Sequence, residues 1–262
     1  MQLETVTREP KGSPRPTPVL FIHGAFHGAW CWTENFLPYF AEHGYTSHAL
    51  SLRGHGDSEG RERLRRTRIA DYVADVEQVI GGLPQTPILV GHSMGGLIIQ
   101  KYLEKHPAPA GVLLASVPVR GLLKTIARIA LRHPLAFLKA NVTLSLYPII
   151  GTPRLAGEAF FSLDMPAERR DSYFGRMQDE SYFAFLDMLA LNLPSPKKMD
   201  VPLLVLGAES DFFFSPSEVE ATARAYKTQA ECFPNMAHDM MLEAGWQSVA
   251  DCILRWLGDR GL

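Results

Sequence analysis

A serine set among small residues at the end of an apolar run is the first place where this chain could do chemistry. Ile88-Leu89-Val90-Gly91-His92-Ser93-Met94-Gly95-Gly96 reads as a strand, a G-x-S-x-G turn and the start of a helix. A serine raised on a sharp strand-to-helix turn leaves no room for side chains beside it, so Gly91 and Gly95 stand where a Cβ would clash. Its hydroxyl is then open to a substrate and to a base. A helix from Met94 to His106 would bring free amide hydrogens and a positive dipole end to the same spot.

Alone, G-x-S-x-G is weak, because a turn with a helix-capping serine has the same letters. Other segments supply the partners. Pro18-Val19-Leu20-Phe21-Ile22-His23-Gly24-Ala25-Phe26-His27-Gly28 is a second apolar run that ends at a glycine. A tetrahedral acyl intermediate needs two donors for its oxyanion, each worth roughly 3 kcal/mol. The Met94 amide is one candidate, and the Ala25 amide is the other, with Phe26 as the alternative. Gly24 lets the backbone approach the reacting carbonyl. Further on, Val201 to Gly207 reads as a buried strand, with Asp211 just past its C-terminal end. A helical stretch from Pro216 to Tyr226, a short strand from Gln229 to Phe233 and then His238 follow. The order Ser, Asp, His suits a nucleophile, a group orienting the base, and the base itself. Glu209 is the alternative acid, two residues earlier and closer to the strand.

These groups need a scaffold. Gln2 to Arg8 alternates as an edge hairpin strand would, before a Pro-rich turn from Lys11 to Pro18. Glu34 to His43 and Thr67 to Leu83 have helical spacing, Tyr45 to Leu52 and Gly111 to Ser116 read as strands, and Gly245 to Leu257 closes the chain as a helix. Apolar strands with helical crossovers imply an α/β fold, a mostly parallel sheet covered by helices on both faces. Its catalytic groups gather at the C-terminal ends of the strands. Between Ser116 and Val201 the connection is far too long for a loop. It is expected to be a helical cap. Residues 1–117 and 197–262 then form the core and 118–196 the cap, with four or five helices. The cap is rich in leucine and isoleucine, and Leu146 with Phe26, Phe212 and Phe213 is expected to wall a substrate pocket. Lys124, Arg128, Arg132 and Lys139 lie among its apolar residues, so transient contact with a lipid surface is one reading and a solvated helix face is the other. The arginines Arg61, Arg63, Arg65, Arg66 and Arg68 read as a solvated loop entering a helix, with attraction of an anionic substrate as the other reading, and His55 and His92 read as positioning or packing groups.

With 262 residues, 46% hydrophobic and 21% charged, the chain has ordinary globular composition. A net charge of −2 gives no electrostatic case for nucleic acid. Cys31, Cys232 and Cys252 form no C-x-x-C pair and no disulfide framework. The histidines lack metal-ligand spacing, so no metal and no cofactor are expected. Met1 to Ser13 has no secretory-signal pattern, and no apolar run nears the roughly 20 residues of a membrane span. A cytoplasmic monomer or homodimer acting on a small molecule is the expectation.

With these segments in view, the chain resembles an α/β-hydrolase over essentially its whole length. The resemblance rests on the His23-Gly24 loop, Leu52-Arg53-Gly54-His55-Gly56-Asp57-Ser58, the Gly91-to-Gly95 turn, the Gly207-to-Asp211 strand end and the His238 loop. Within the family it is similar to the esterase, lysophospholipase and monoacylglycerol-lipase branch. His27-Gly28-Ala29-Trp30-Cys31-Trp32 is similar to plant methylesterases and hydroxynitrile lyases. Such lyases typically carry Thr where this chain has Gly24, and Lys where it has Asp239, which favours ester hydrolysis. The resemblance implies a serine hydrolase using a Ser93-His238-Asp211 triad, an acyl-enzyme and no cofactor. C–C bond hydrolysis, thioester hydrolysis, perhydrolysis and non-catalytic ligand binding are the alternatives.

Overall fold

Continuous apolar runs in this sequence become strands covered on both sides. The computed structural model describes residues 1–262. In chain order its strands are β1 (Thr5–Arg8), β2 (Val19–Ile22), β3 (Ser47–Leu50), β4 (Ile88–His92), β5 (Gly111–Leu114), β6 (Leu203–Ala208) and β7 (Ala230–Phe233). Every residue of β2 to β6 is buried. That is the mark of parallel strands sandwiched between helices. The seven strands run β1-β3-β2-β4-β5-β6-β7. All neighbours pair in parallel except β1 and β3.

The expected hairpin of β1 with the next strand does not form. β1 pairs antiparallel with β3 and not with its sequence neighbour β2. The Pro-rich stretch between β1 and β2 is too long for a tight two-residue turn, and prolines cannot donate to a ladder.

The helices that cover the sheet are α1 (Trp30–Thr33), α2 (Phe36–Glu42), α3 (Ile69–Gly81), α4 (Met94–Leu103), then α5 to α9 between β5 and β6, and finally α10 (Pro216–Ala225) and α11 (Trp246–Gly258). α2 packs with α1 and α11, while α3 packs on α4 and α4 on β4. α3 buries Ile69, Tyr72, Val73 and Val76, the stripe its spacing implied. Its buried Asp75 holds Arg53 through Nη2 at 2.7 Å, which anchors the loop that carries His55.

The long connection folds as α5 (Leu123–Arg132), α6 (Pro134–Thr143), α7 (Pro153–Phe160), α8 (Ala167–Phe174) and α9 (Tyr182–Leu186). After α9 the chain runs directly into a π turn at Asp187–Leu191. Asp187 is turned inward there, accepting from Arg68 Nη1 at 2.6 Å and from the Ile69 amide at 3.1 Å. Arg68 is therefore a clamp between the connection and α3, unlike the rest of its arginine run. Buried Glu180 accepts from Tyr72 Oη at 2.6 Å, and Gln178 donates to the Gly54 carbonyl at 2.7 Å. No helix is long and apolar enough to cross a membrane.

Candidate active site

Ser93 sits between the last residue of β4 and the first of α4, with φ 52° and ψ −116°. A non-glycine residue in the left-handed half of φ space costs on the order of 1–3 kcal/mol and persists only where its surroundings hold it. The holding is visible. The Ser93 amide donates to Leu114 O at 3.0 Å, and its carbonyl accepts from Gly96 and Val117, each at 3.1 Å. A Cβ on Gly91 would lie 2.5 Å from Gly95 O, and one on Gly95 would strike the carbonyl oxygen of Ile22. A Cβ on Gly24 would lie 2.8 Å from Ser93 Cβ and 2.8 Å from His92 Nδ1. All three glycines stand where close backbone approach requires them.

Asp211 follows β6, and His238 lies in the loop between β7 and α11. His238 Nδ1 donates to Asp211 Oδ2 at 2.8 Å. The other carboxylate oxygen accepts the Phe213 and Phe214 amides at 2.7 and 3.0 Å. The acid is thus aimed by its own turn. Glu209 is exposed, and Asp211 is the carboxylate that reaches the histidine. With Nδ1 protonated toward Asp211, the Nε2 lone pair is free. Ser93 and His238 line the same pocket without a hydrogen bond between them. Such bonds are often loose in an empty site and tighten when substrate binds.

The amides of Ala25, Phe26 and Met94 donate to no protein acceptor. Met94 opens α4 directly after Ser93, where the helix dipole is positive. Phe26 has φ 70°, and its carbonyl accepts from the Gln178 amide at 3.0 Å, so the loop is pinned from above.

Residues 19–251 match the alpha/beta hydrolase family. The chain belongs to this family. Methylesterase 3 of Arabidopsis thaliana is 31% identical over 96 residues, 36% of each chain. The thermostable monoacylglycerol lipase of Bacillus sp. (strain H-257) is 36% identical over 101 residues, 37% of this chain and 39% of that one. The chain thus spans just over a third of the length of the curated relatives it matches. The crystal structure of Paleococcus ferrophilus monoacylglycerol lipase superposes with a TM-score of 0.73 at 20% identity, over 99% of this chain and 100% of that one. At that identity the likeness is one of fold.

Two further side chains, which sequence reasoning did not assign, belong to this site. His27 Nδ1 faces the Ala25 carbonyl at 2.7 Å and Nε2 faces Asp239 Oδ2 at 2.9 Å, both side chains fully buried. A carbonyl only accepts, so Nδ1 carries a proton. Burial disfavours the imidazolium, but the Asp239 carboxylate outweighs it, and the net shift of His27 is upward. For Asp239 burial acts upward, and His27 outweighs it to bring the net shift downward. Both shifts favour the charged forms, and the pair ties the Ala25 loop to the residue after His238. His92 adds a second tie, donating from Nε2 to the His238 carbonyl at 3.0 Å. Burial, and then His238, push the His92 pKa down to about 3. His92 is thus the neutral Nε2–H tautomer. The available signal was Asp239 directly after His238, but nothing in the sequence linked it to His27.

His92, His238 and Asp239 also present ligand atoms within 4.8 Å of one another, as a metal site would. One atom of each is engaged, His238 Nδ1 with Asp211, His92 Nε2 with a carbonyl and Asp239 Oδ2 with His27, while His92 Nδ1 and Asp239 Oδ1 are buried without a partner. The set reads as a hydrogen-bond network.

The pocket in front of Ser93 is a cavity of about 70 Å³ with 14 apolar residues among its 17. Phe26, Phe213 and Leu146 line it as expected, joined by Phe214, Ile126, Ile129 and Phe160. Phe212 does not. It turns outward to an open cleft with Arg128 and Arg132, its ring 5.9 Å from the Arg132 guanidinium. The turn that gives Asp211 the amides of Phe213 and Phe214 sends those two rings to His238, at 4.7 and 5.4 Å, and leaves Phe212 outside.

Proposed function

We propose that this α/β-hydrolase cleaves carboxylic esters with an apolar acyl or alcohol part. The observation that carries the reading is Ser93, held on a strained turn in an apolar pocket that also holds an Asp211-oriented His238. His238 Nε2 takes the Ser93 proton as the hydroxyl oxygen attacks the ester carbonyl. The oxyanion is received by the Met94 amide and by that of Ala25 or Phe26. Collapse expels the alcohol with the proton from His238, leaving an acyl-enzyme. Water, deprotonated by the same imidazole, then releases the acid and restores the hydroxyl. Residues 118–196 serve as the cap, supplying the Leu146, Ile126 and Ile129 wall, over a core of 1–117 and 197–262.

The cavity sets a size limit. One water needs roughly 10–15 Å³ on this scale, so the space takes an acyl group of about five to seven heavy atoms. In a p-nitrophenyl ester series from acetate to palmitate, kcat/KM is expected to peak at butyrate or hexanoate. Palmitate is expected at least about tenfold below the peak, because each misplaced methylene is worth a measurable fraction of the barrier. A flat profile would show that this pocket does not select the substrate. Absence of activity on every ester, with diketone or acyl-thioester substrates turned over, would replace ester hydrolysis by C–C or thioester hydrolysis.

Gly24→Ala tests the loop. The added Cβ meets Ser93 Cβ and His92 Nδ1 at 2.8 Å, so either the nucleophile or the oxyanion loop must shift. A displacement of this size is expected to cost about 10²-fold in kcat. Its stability cost is about 1–3 kcal/mol, the usual range for overpacking. Wild-type kcat in a folded Gly24→Ala protein would refute the close approach as a functional requirement.

A further inference from the structure

Helices α5 and α6 form a hairpin around a single residue, His133. The inner side of α5 belongs to the pocket: Thr125, Ile126 and Ile129 line it. The outer side is apolar as well. Leu123 is 64% exposed and Leu131 86%; on α6, Leu135 is 81%, Leu138 60% and Val142 75% exposed. The first two recur two turns apart on α5, and the last three at i, i+3 and i+7 on α6, so each helix presents one greasy edge. The edges meet at the turn, where Leu131 and Leu135 are four residues apart. Single exposed leucines need no explanation, but a group of this kind marks a contact surface.

The charge around the edges names the partner. From Val117 to Gly157 there is no Asp or Glu, while Arg120, Lys124, Arg128, Arg132, Lys139 and Arg154 are present. The chain as a whole is at −2. Arg128 and Arg132 are engaged with Glu218 and Glu158. Lys124 and Lys139 are exposed, have no carboxylate partner and directly follow Leu123 and Leu138. Leucines flanked by free ammonium groups suit a surface that is apolar below and anionic above. A second copy fits poorly, because a symmetric contact would bring two basic faces free of Asp and Glu from Val117 to Gly157 together.

We propose that the exposed edges of α5 and α6 dock this protein on an anionic lipid surface. The outer face of α5 then rests on the lipid while its inner face walls the pocket. The docking does not depend on the ester reading; only the idea that the surface supplies the substrate rests on it.

Sedimentation with vesicles tests this, using the Ser93→Ala protein so that no lipid is hydrolysed. With phosphatidylcholine vesicles holding about 30% phosphatidylglycerol, most of the protein is expected in the pellet. Pure phosphatidylcholine is expected to bind at least about tenfold less, and raising salt from about 0.05 M to about 0.5 M is expected to weaken the anionic binding. Leu131→Ser/Leu135→Ser/Leu138→Ser in the same background is expected to lose the binding. Placed in the Ser93 protein, the triple change is expected to leave the rate on soluble p-nitrophenyl butyrate unaltered. Lys124→Glu/Lys139→Glu serves as the second variant should the triple one unfold, and it is expected to abolish the anionic preference. A Ser93→Ala protein that stays in the supernatant with anionic vesicles overturns the proposal, as does equal binding by the variants. A dimer in ultracentrifugation that the triple change dissociates, without vesicle binding, gives the face to a second copy instead.

Discussion

Ser93→Ala is expected to lower kcat on p-nitrophenyl butyrate by at least about 10³-fold, and His238→Ala by a similar factor. The reason is that Ser93, His238 and Asp211 act as one unit. Removing the hydroxyl leaves the base nothing to deprotonate, and removing the imidazole leaves a neutral serine, a weak nucleophile. The double variant is therefore expected to be no worse than the poorer single one, within about a factor of ten. Additive losses would show two independent contributions and break the mechanism. Asp211→Asn is expected to cost about 10⁴-fold with the fold retained, because an amide no longer dictates the imidazole tautomer. What survives in each case is the contribution of the unengaged Ala25 or Phe26 and Met94 amides and of substrate binding. The check is steady-state kinetics on all four proteins, with urea midpoints to establish that they are folded. A Ser93→Ala protein within tenfold of wild type would remove ester hydrolysis through Ser93 altogether.

The parts of this site that could be read from the chain are those in which one local constraint decides the residue. Gly91, Ser93 and Gly95 are such a case, because the turn is so tight that backbone atoms fill the space a side chain would take. Asp211 was legible because it ends an apolar strand, and the fold followed from the continuous apolar runs of β2, β4, β5 and β6. Elsewhere the deciding partner lies far away in sequence. Phe212 and Phe214 are equivalent as letters; only the hydrogen bonds of Asp211 to the amides after Phe212 send one ring out and the other in. The π turn after α9 begins at Asp187, whose partner Arg68 lies 119 residues earlier. β1 looked like half of a hairpin because alternation reports a half-exposed strand but not its neighbour. His27 and Asp239 are 212 residues apart, and each alone reads as an ordinary polar loop residue.

That buried pair leads to the largest expected effect on stability. Asp239→Asn and His27→Gln are each expected to destabilise the protein by about 3–5 kcal/mol, since each strands a fully buried partner. The double variant, which can pair two amides, is expected to lose less than the sum, with a coupling energy of at least about 1 kcal/mol. The pH dependence has a definite sign. The His27 pKa is raised in the fold above 6.5, so its contribution is complete below about pH 6.5 and is lost as pH rises through the folded value. The Asp239 pKa is lowered from 3.8, so its contribution is complete above about pH 4 and is lost as pH falls through the folded value. The coupling energy is therefore expected to be greatest between about pH 4 and 6.5 and to shrink toward alkaline pH. His92 works the other way: held neutral with a pKa of about 3 against 6.5 when unfolded, it makes the protein less stable as pH drops across that interval, by up to about 1.4 kcal/mol per unit. Urea midpoints of the four proteins at about pH 6 and about pH 9.5 separate the two effects, because the cycle cancels His92 and retains the pair. A coupling energy that is the same at both pH values would mean that His27 carries no charge in the folded protein, and that the tie between the Ala25 loop and the His238 loop is an ordinary neutral hydrogen bond.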